Sequence, residues 1–410
     1  MDARRRTATG HGAPVTTRPS VLYYCQHSVG LGHLVRSLAI AHALSEGFRV
    51  VVASGGAVPP ELAVPPGVEL VALPAIGSSD GRGSHLISLE TGLDLEEVWR
   101  RRQNVLETLL DEVRPVALVI ELFPFGRRKF ARELVPFLER AASLDPAPVT
   151  VSSVRDILVD SKYNQRELDD RAALHLNRYF DAIIVHADPN FATLDETFRP
   201  SIPVKPSIHY SGFVVRSAHR PPRLRPSAPE VLISAGGGKV GESLFRAAVT
   251  AHRRYLDPLG VRTRVVTGPF LDALIVEQLE ADARGCATLE ISKFEPHLCE
   301  AMASASVTVS QCGYNTALDI IRAGVPALVV PYDADGETEQ AFRATRLARK
   351  GVVKSLSMDD LTPETLSGAI IGTLSMRTPT VTFDLGGSTE TARIVHDLVE
   401  QRTRRVLSLR

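Results

Sequence analysis

The stretch from 311 to 340, QCGYNTALDIIRAGVPALVVPYDADGETEQ, holds the densest set of residues able to grip a charged ligand. Gly313 and Asn315 suit a tight turn after the strand-like run 307–309, and Thr316 is expected to open a helix. A helix starting there turns free backbone N–H groups and the positive end of its dipole toward the turn. That arrangement favours a pyrophosphate by a few tenths to about 1 kcal/mol per charge. The hydroxyl of Thr316 adds a donor. Asp319 lies nearly one turn deeper, where a carboxylate can accept from both hydroxyls of a ribose. Ala323-Gly324 is a helix stop, and the apolar run 325–331 reads as a buried parallel strand. Glu339 and Gln340 follow, at the edge where open α/β sheets hold ligands. Together these parts predict a pocket for a nucleotide diphosphate.

Two glycine loops also follow strand-like runs. In 234–239, SAGGGK, Gly236 and Gly237 offer consecutive unhindered N–H groups as an anion nest, with Lys239 to neutralise charge. It is not a Walker loop, because no Ser or Thr follows Lys239. In 28–33, SVGLGH, the pair Gly30-x-Gly32 starts a dinucleotide fingerprint, but Val35 stands at the third glycine and no acidic residue follows the second strand. A dehydrogenase is therefore not expected.

The 311–340 segment resembles the donor box of nucleotide-sugar glycosyltransferases of the GT-B fold. Plant secondary-product enzymes of that kind carry HCGWNS, a glutamate, GVP and a D/E-Q pair; this chain has QCGYNT, Asp319, GVP and Glu339-Gln340. It is also similar to the C-terminal half of the bacterial N-acetylglucosaminyltransferase that makes the peptidoglycan lipid precursor. The resemblance implies an α/β protein with two Rossmann-like domains facing across a cleft. It assigns phosphate to Thr316 and the turn at Gly313, ribose to Asp319, and the donor sugar to Asn315, Glu339 and Gln340. Gln311 stands where the plant box has a phosphate-binding histidine, and Tyr314 where it has tryptophan.

In the same fold a loop like 28–33 closes on a Gly-His pair whose histidine removes the acceptor proton. That makes His33 the expected base, a role worth about 10² to 10⁴ in rate. Glu121 leaves the strand-like run 118–120 where the plant enzymes carry an orienting aspartate; His27 is the second choice of base. Gly236, Gly237 and Lys239 are implied to meet the donor phosphates or the leaving group. Phe294 and the main chain at Glu295 are implied to meet uracil, Phe294 being otherwise a core side chain. Asp333-x-Asp335 has D-x-D spacing but reads as a solvated turn. The implied reaction moves a sugar, with inversion, from a UDP-sugar to a hydroxyl acceptor, with no metal or cofactor. A UDP-sugar epimerase of this fold and a non-catalytic nucleotide-sugar-binding subunit are the alternatives.

On the acceptor side, Arg127 and Arg155 follow strand-like runs; they read either as surface charges at helix starts, the commoner case, or as partners of an acidic or phosphorylated acceptor, small or lipid-linked. The Gly/Ser-rich loop 76–85 reads as a mobile lid. The elements that must carry all this form two α/β arrays. Apolar runs at 21–25, 50–53, 69–73, 117–120, 149–152 and 182–185 lie in an acceptor domain spanning 20–215. Runs at 231–234, 261–266, 288–291, 307–309 and 327–330 lie in a nucleotide-sugar domain spanning 230–385, with helices expected at 34–44, 242–255 and 389–401. A Pro/Arg-rich linker at 216–229 separates the two, residues 1–19 form a tail, and residues 386–410, by the resemblance, cross back to the first domain.

Within 410 residues the 47 basic and 47 acidic side chains balance, so no global field recruits nucleic acid. Cys25, Cys286, Cys299 and Cys312 form no C-x-x-C and no metal spacing, which fits a reducing, cytoplasmic setting without disulfides or zinc. No run of eighteen apolar residues occurs, although a surface patch can still meet a membrane.

Overall fold

The computed structural model describes residues 18–27, 31–59, 62–79, 85–158, 164–215, 221–222, 227–333, 338–377 and 381–408. The chain divides into two compact units. The first takes the described residues up to 158, those of 164–215 and those from 384 onward; the second takes those of 221–383.

In chain order the first unit runs β1 (Ser20–Cys25), α1 (Gly32–Leu44), β2 (Arg49–Ser54), β3 (Val68–Ala72), β4 (Ile76–Ser78), β5 (Leu86–Ser88), α2 (Leu95–Val113), β6 (Ala117–Glu121), α3 (Ala131–Ala142), β7 (Val149–Arg155), α4 (Gln165–Tyr179), β8 (Ala182–His186) and β9 (Ser207–Tyr210). The second runs β10 (Glu230–Ser234), α5 (Glu242–Ala251), β11 (Arg262–Val266), α6 (Ala273–Ala283), β12 (Leu289–Ser292), α7 (Leu298–Ser304), β13 (Val307–Ser310), α8 (Tyr314–Ala323), β14 (Ala327–Val329), α9 (Glu339–Arg349), β15 (Lys354–Ser355) and α10 (Pro363–Leu374). The chain ends in α11 (Gly387–Ser408), which belongs to the first unit.

Both main sheets are parallel. Their orders are β3-β2-β1-β6-β7-β8-β9 and β12-β11-β10-β13-β14-β15, the Rossmann-like winding. Strands such as β1 and β2 form because their β-branched and aromatic runs are buried on both faces, as a parallel sheet flanked by helices requires. In each sheet the strand order reverses once, between β1 and β6 and between β10 and β13. Ligands of such folds bind at the carboxyl ends beside that reversal, and most of the expected site residues lie there. α11 adds Ile394 and Val395 to the core that also holds Leu34 and Leu38. It is anchored by an antiparallel bridge between Val214 and Gly386.

Several elements differ from expectation. β9 (Ser207–Tyr210) was not among the expected runs of the first domain; it pairs parallel with β8, Ile208 and Tyr210 supplying a strand between the prolines. Residues 76–85 begin a hairpin, β4 pairing antiparallel with β5; residues 80–84 lie outside the described residues, as do 1–17, 28–30, 216–220, 223–226 and Asp335. α8 starts at Tyr314, two residues before Thr316, because Gly313 takes the extended N-cap conformation. Among the described residues no helix is long and apolar enough to cross a membrane.

Candidate active site

At the first unit's reversal point, β6 delivers Glu121 to the start of α1. His33 stands in the first turn of that helix, which has no side-chain cap. Glu121 is fully buried, and its Oε1 lies 2.6 Å from His33 Nδ1. Arg36, one turn along α1, donates to the same oxygen and lies 3.4 Å from Nδ1. A carboxylate at that distance fixes the neutral tautomer with its proton on Nδ1 and leaves Nε2 as a lone-pair base. The ring keeps 22% exposure, so it is not sealed in the core.

Burial pushes the His33 imidazole down to about 4, and Arg127 and Arg36 add to this against the upward pull of Glu121. Residual exposure of the ring lets water temper that shift. Burial alone would raise the Glu121 carboxyl, but His33, Arg36 and Arg127 outweigh it and hold it well below the usual carboxylate range. The pair is thus a neutral imidazole against an ionised carboxylate. His27, by contrast, is 4% exposed, faces Ser54 Oγ at 3.3 Å, and is pushed down to about 4 by burial first and Arg127 second.

The loop after Glu121 is strained. Leu122 and Arg127 hold φ of 64° and 57°, a region that costs a non-glycine residue about 1–2 kcal/mol. Arg127 has no hydrogen-bonded partner among the described residues, and its Nε is buried. Among the described residues nothing accepts a hydrogen bond from that half-buried cation, which suits an anionic group. Arg155, also half-buried, ends β7 in the same unit.

The second unit's reversal point is made largely of backbone. Gly236 and Gly238 have φ of 56° and 87°, and a Cβ on Gly238 would lie 2.0 Å from the carbonyl oxygen of Thr267. A Cβ on Gly236 would lie 3.6 Å from Thr316 Oγ1, so this turn lies close against the first turn of α8. α8 has neither a side-chain cap nor an acidic residue in its first turn, which leaves its leading amides for an anion. Asn315 is exposed on that turn and Lys239 is exposed beside the glycines. Asp319 is half-buried, with Oδ1 3.4 Å from Arg322 Nη1.

Other residues of the box hold it together. Gln311 Nε2 donates to Val240 O at 2.9 Å, tying this turn to the glycine loop. Gln340 Oε1 accepts from the amides of Cys312 (3.0 Å) and Tyr332 (3.2 Å). Glu339 Oε1 accepts from Arg343 Nη2 at 2.6 Å, and Arg343 Nη1 donates to Cys312 O at 2.8 Å. Phe294 is 68% exposed, which overturns its alternative reading as core. Glu295 accepts from His297 N and from Arg264 Nη2, both at 3.0 Å. Asp333 is exposed.

Sequence reasoning missed three supporting arginines. Arg36 lies three residues after His33 on an apolar helix face, a signal that was available. Arg343 is i+4 from Glu339, a pairing that spacing alone could have suggested. Arg102 had no such signal. Fully buried on α2, it donates to Glu133 (2.8 and 2.7 Å), to Gln26 Oε1 (2.8 Å), and to the carbonyls of Gly55 and Pro74 (2.9 Å each). It thereby fixes the loops after β1, β2 and β3.

Comparison with known proteins bears on this geometry. Residues 237–379 match the glycosyltransferase family 28 C-terminal domain. A UDP-N-acetylglucosamine--N-acetylmuramyl-(pentapeptide) pyrophosphoryl-undecaprenol N-acetylglucosamine transferase of Rhizobium etli is 26% identical over 216 residues, 50% of this chain and 54% of that one. The protein of the same name from Rhizobium johnstonii is 28% identical over 219 residues, with the same two shares, 50% and 54%. The chain thus spans about half the length of the curated relatives it matches. Among solved structures, a Medicago truncatula UGT complexed with UDP-glucose superposes with a TM-score of 0.60 at 15% identity, over 94% of this chain and 99% of that one. MurG of Acinetobacter baumannii does so with a TM-score of 0.54 at 16% identity, over 95% and 99%. The chain is therefore a protein of the GT-B fold, resembling MurG and the UDP-glycosyltransferases, and residues 237–379 of its second unit match the glycosyltransferase family 28 C-terminal domain.

Proposed function

We propose that the protein transfers a sugar from a UDP-sugar to a hydroxyl acceptor with inversion at the anomeric carbon. His33 Nε2 takes the acceptor proton as the oxygen attacks, and Glu121 holds the imidazole and stabilises the imidazolium that forms. In the second unit the amides at Gly236 and Gly237, with Lys239, Thr316 and the start of α8, take the charge of the departing diphosphate. Asp319 accepts from the ribose. Asn315, with Glu339 and Gln340, borders the sugar, and Phe294 and the main chain at Glu295 meet the uracil.

The single observation that carries the reading is the 2.6 Å contact from His33 Nδ1 to Glu121, because it prepares a neutral histidine to act as a base. The match of residues 237–379 to a family 28 domain supports a nucleotide-sugar donor. The named relatives act on a pyrophosphoryl-undecaprenol acceptor. A phosphorylated acceptor, small or lipid-linked, also suits the half-buried cation of Arg127.

The test is incubation with a panel of UDP-sugars, with and without phosphorylated acceptors, followed by mass and anomeric analysis. A glycosylated product of inverted configuration is expected, and only when acceptor is present. Conversion of the sugar without acceptor would make the protein an epimerase. UDP-sugar binding with no turnover on any acceptor, unaltered by His33→Ala, would make it a binding subunit.

A further inference from the structure

We propose that His252, Asp257 and Cys286 form a binding site for a zinc-class divalent cation in the second unit. The site lies at the amino edge of the sheet, where α5 ends and β11 and β12 begin, whereas the glycine loop and α8 lie at the carboxyl edge. The cation would therefore be structural, and the sugar-transfer reading does not depend on it.

Local backbone geometry brings the first two residues together. In a regular α-helix, residues five apart point about 140° away from each other. Here α5 loosens into a π-turn, His252–Leu256, in which the amide of Asp257 donates to His252 O. That wider turn brings both side chains to one side, and π-turns of this kind recur at functional sites. Cys286 arrives from the turn after α6. One nitrogen, one carboxylate oxygen and the sulfur then lie within 4.8 Å of one another.

The separations suit a tetrahedral ion. Metal-to-donor distances of about 2.0–2.3 Å set tetrahedral donors about 3.3–3.7 Å apart. His252 Nε2 lies 3.3 Å from Cys286 Sγ and 4.0 Å from Asp257 Oδ1. The Asp257 side chain is 42% exposed and can close the remaining gap by rotation. The second nitrogen is held in the manner of metal-bound histidines: His252 Nδ1 lies 2.8 Å from Thr263 Oγ1, which can accept its proton and leave the Nε2 lone pair facing the site. Thr288 Oγ1, 3.1 Å from Nε2 and 3.3 Å from Sγ, also donates to Asp257 Oδ1, so this hydroxyl links the three groups and turns aside when an ion enters.

A nitrogen, a sulfur and one carboxylate favour zinc over magnesium or calcium, which take oxygen sets. Binding would replace the thiol proton of Cys286 by the metal and release that proton to solvent. Sequence spacing could not reveal the site, because its ligands at 252, 257 and 286 follow no finger-like or C-x-x-C pattern.

The test is titration of metal-stripped, full-length protein with cobalt(II). A thiolate-to-cobalt charge-transfer band saturating at one equivalent and abolished by zinc is expected. Cys286→Ser should remove the band and the rise in melting temperature that zinc gives the parent protein. Asp257→Asn should weaken cobalt binding at least about tenfold, and Thr263→Val about 10- to 100-fold through the lost partner of Nδ1. Both Cys286 and Asp257 are partly exposed, and although Cys286 borders the core, both substitutions keep side-chain size, so little repacking is expected. Absence of the band from the parent, its survival in Cys286→Ser, or unchanged affinity in Asp257→Asn would each overturn the site.

Discussion

The two reversal points use opposite materials. In the first unit the ends of β1 and β6 are furnished with interacting side chains: the neutral, partly exposed His33 and the buried Glu121 and Arg36, with Arg102 and Glu133 behind them. In the second unit the ends of β10 and β13 are furnished with glycine turns and an uncapped helix start. Proton transfer depends on protonation state, and only side chains, with their neighbours and burial, can tune that. A diphosphate needs several donors at once in a fixed array, and backbone amides supply them without rotamer freedom to lose. On the proposed function, the difference assigns chemistry to one unit and binding to the other.

The sharpest way to break that division is to remove the side chain it depends on most. His33→Ala should lower turnover by about 10² to 10⁴ while UDP binding, followed by calorimetry, stays within a factor of about two. Glu121→Gln should cost less, and the double variant little more than His33→Ala, since the two act as one device. A loss of UDP affinity equal to the loss of rate in His33→Ala would put binding and chemistry in the same place and end the division.

The converse experiment acts on backbone. Gly238→Ala sets a Cβ 2.0 Å from a carbonyl oxygen at φ 87°, so the loop must move. UDP affinity should fall at least about tenfold, and stability by more than the roughly 1–2 kcal/mol that left-handed strain alone costs. Gly92→Ala is the control: its φ is 76° but nothing lies within 4 Å, so only the strain should appear in denaturant unfolding. Equal effects of the two substitutions would deny the glycine loop its close approach.

A third test reads acidity. If His33 is the base and sits near 4, kcat/KM should stay level below the ordinary histidine midpoint of about 6.5 and fall only toward about 4. Arg127→Ala, which removes a charge that lowers His33, should move that limb upward. Stability moves the same way. The unfolded chain binds protons on its histidines near 6.5, while folded His33, His27 and His186 resist until about 4, 4 and 3. Their contribution is therefore lost as pH falls from about 6.5 toward 4. Glu121 is depressed in the fold, so its share is present above the ordinary 4.5 and disappears below it. Unfolding midpoints should stay level at neutral pH and drop on acidification, less steeply in a variant lacking His186.

The same contrast explains what the sequence disclosed. The second unit was legible because its parts are contiguous: the 311–340 segment spells turn, helix, stop and strand in order, and local rules read local order. Within that segment the start of α8 was misplaced, since Gly313 as N-cap leaves no side-chain signal, and elsewhere in the unit the π-turn that ends α5 at Ala251 and the two-residue β15 were not expected. The first unit was legible as strands and helices but not as a network. Arg102 lies 31 residues from Glu133 and 76 from Gln26, and only the sheet order brings them together. β9 escaped because four residues among prolines, two exposed and two half-buried, carry little periodicity.

The smallest expected effect concerns an aromatic residue at the edge of the second unit. Phe294 is 68% exposed, so Phe294→Ala should change stability by no more than about 0.5 kcal/mol. If its ring lies against a bound base, UDP affinity should still fall by the roughly 1 kcal/mol that a base–aromatic contact is worth. Stacking tolerates any base, whereas main-chain hydrogen bonds at Glu295 would read uracil itself. The variant should accordingly bind UDP and ADP more weakly in equal proportion and keep its preference for UDP. A selective loss of that preference would transfer the reading of the base from backbone to side chain, and with it erase part of the contrast between the two units.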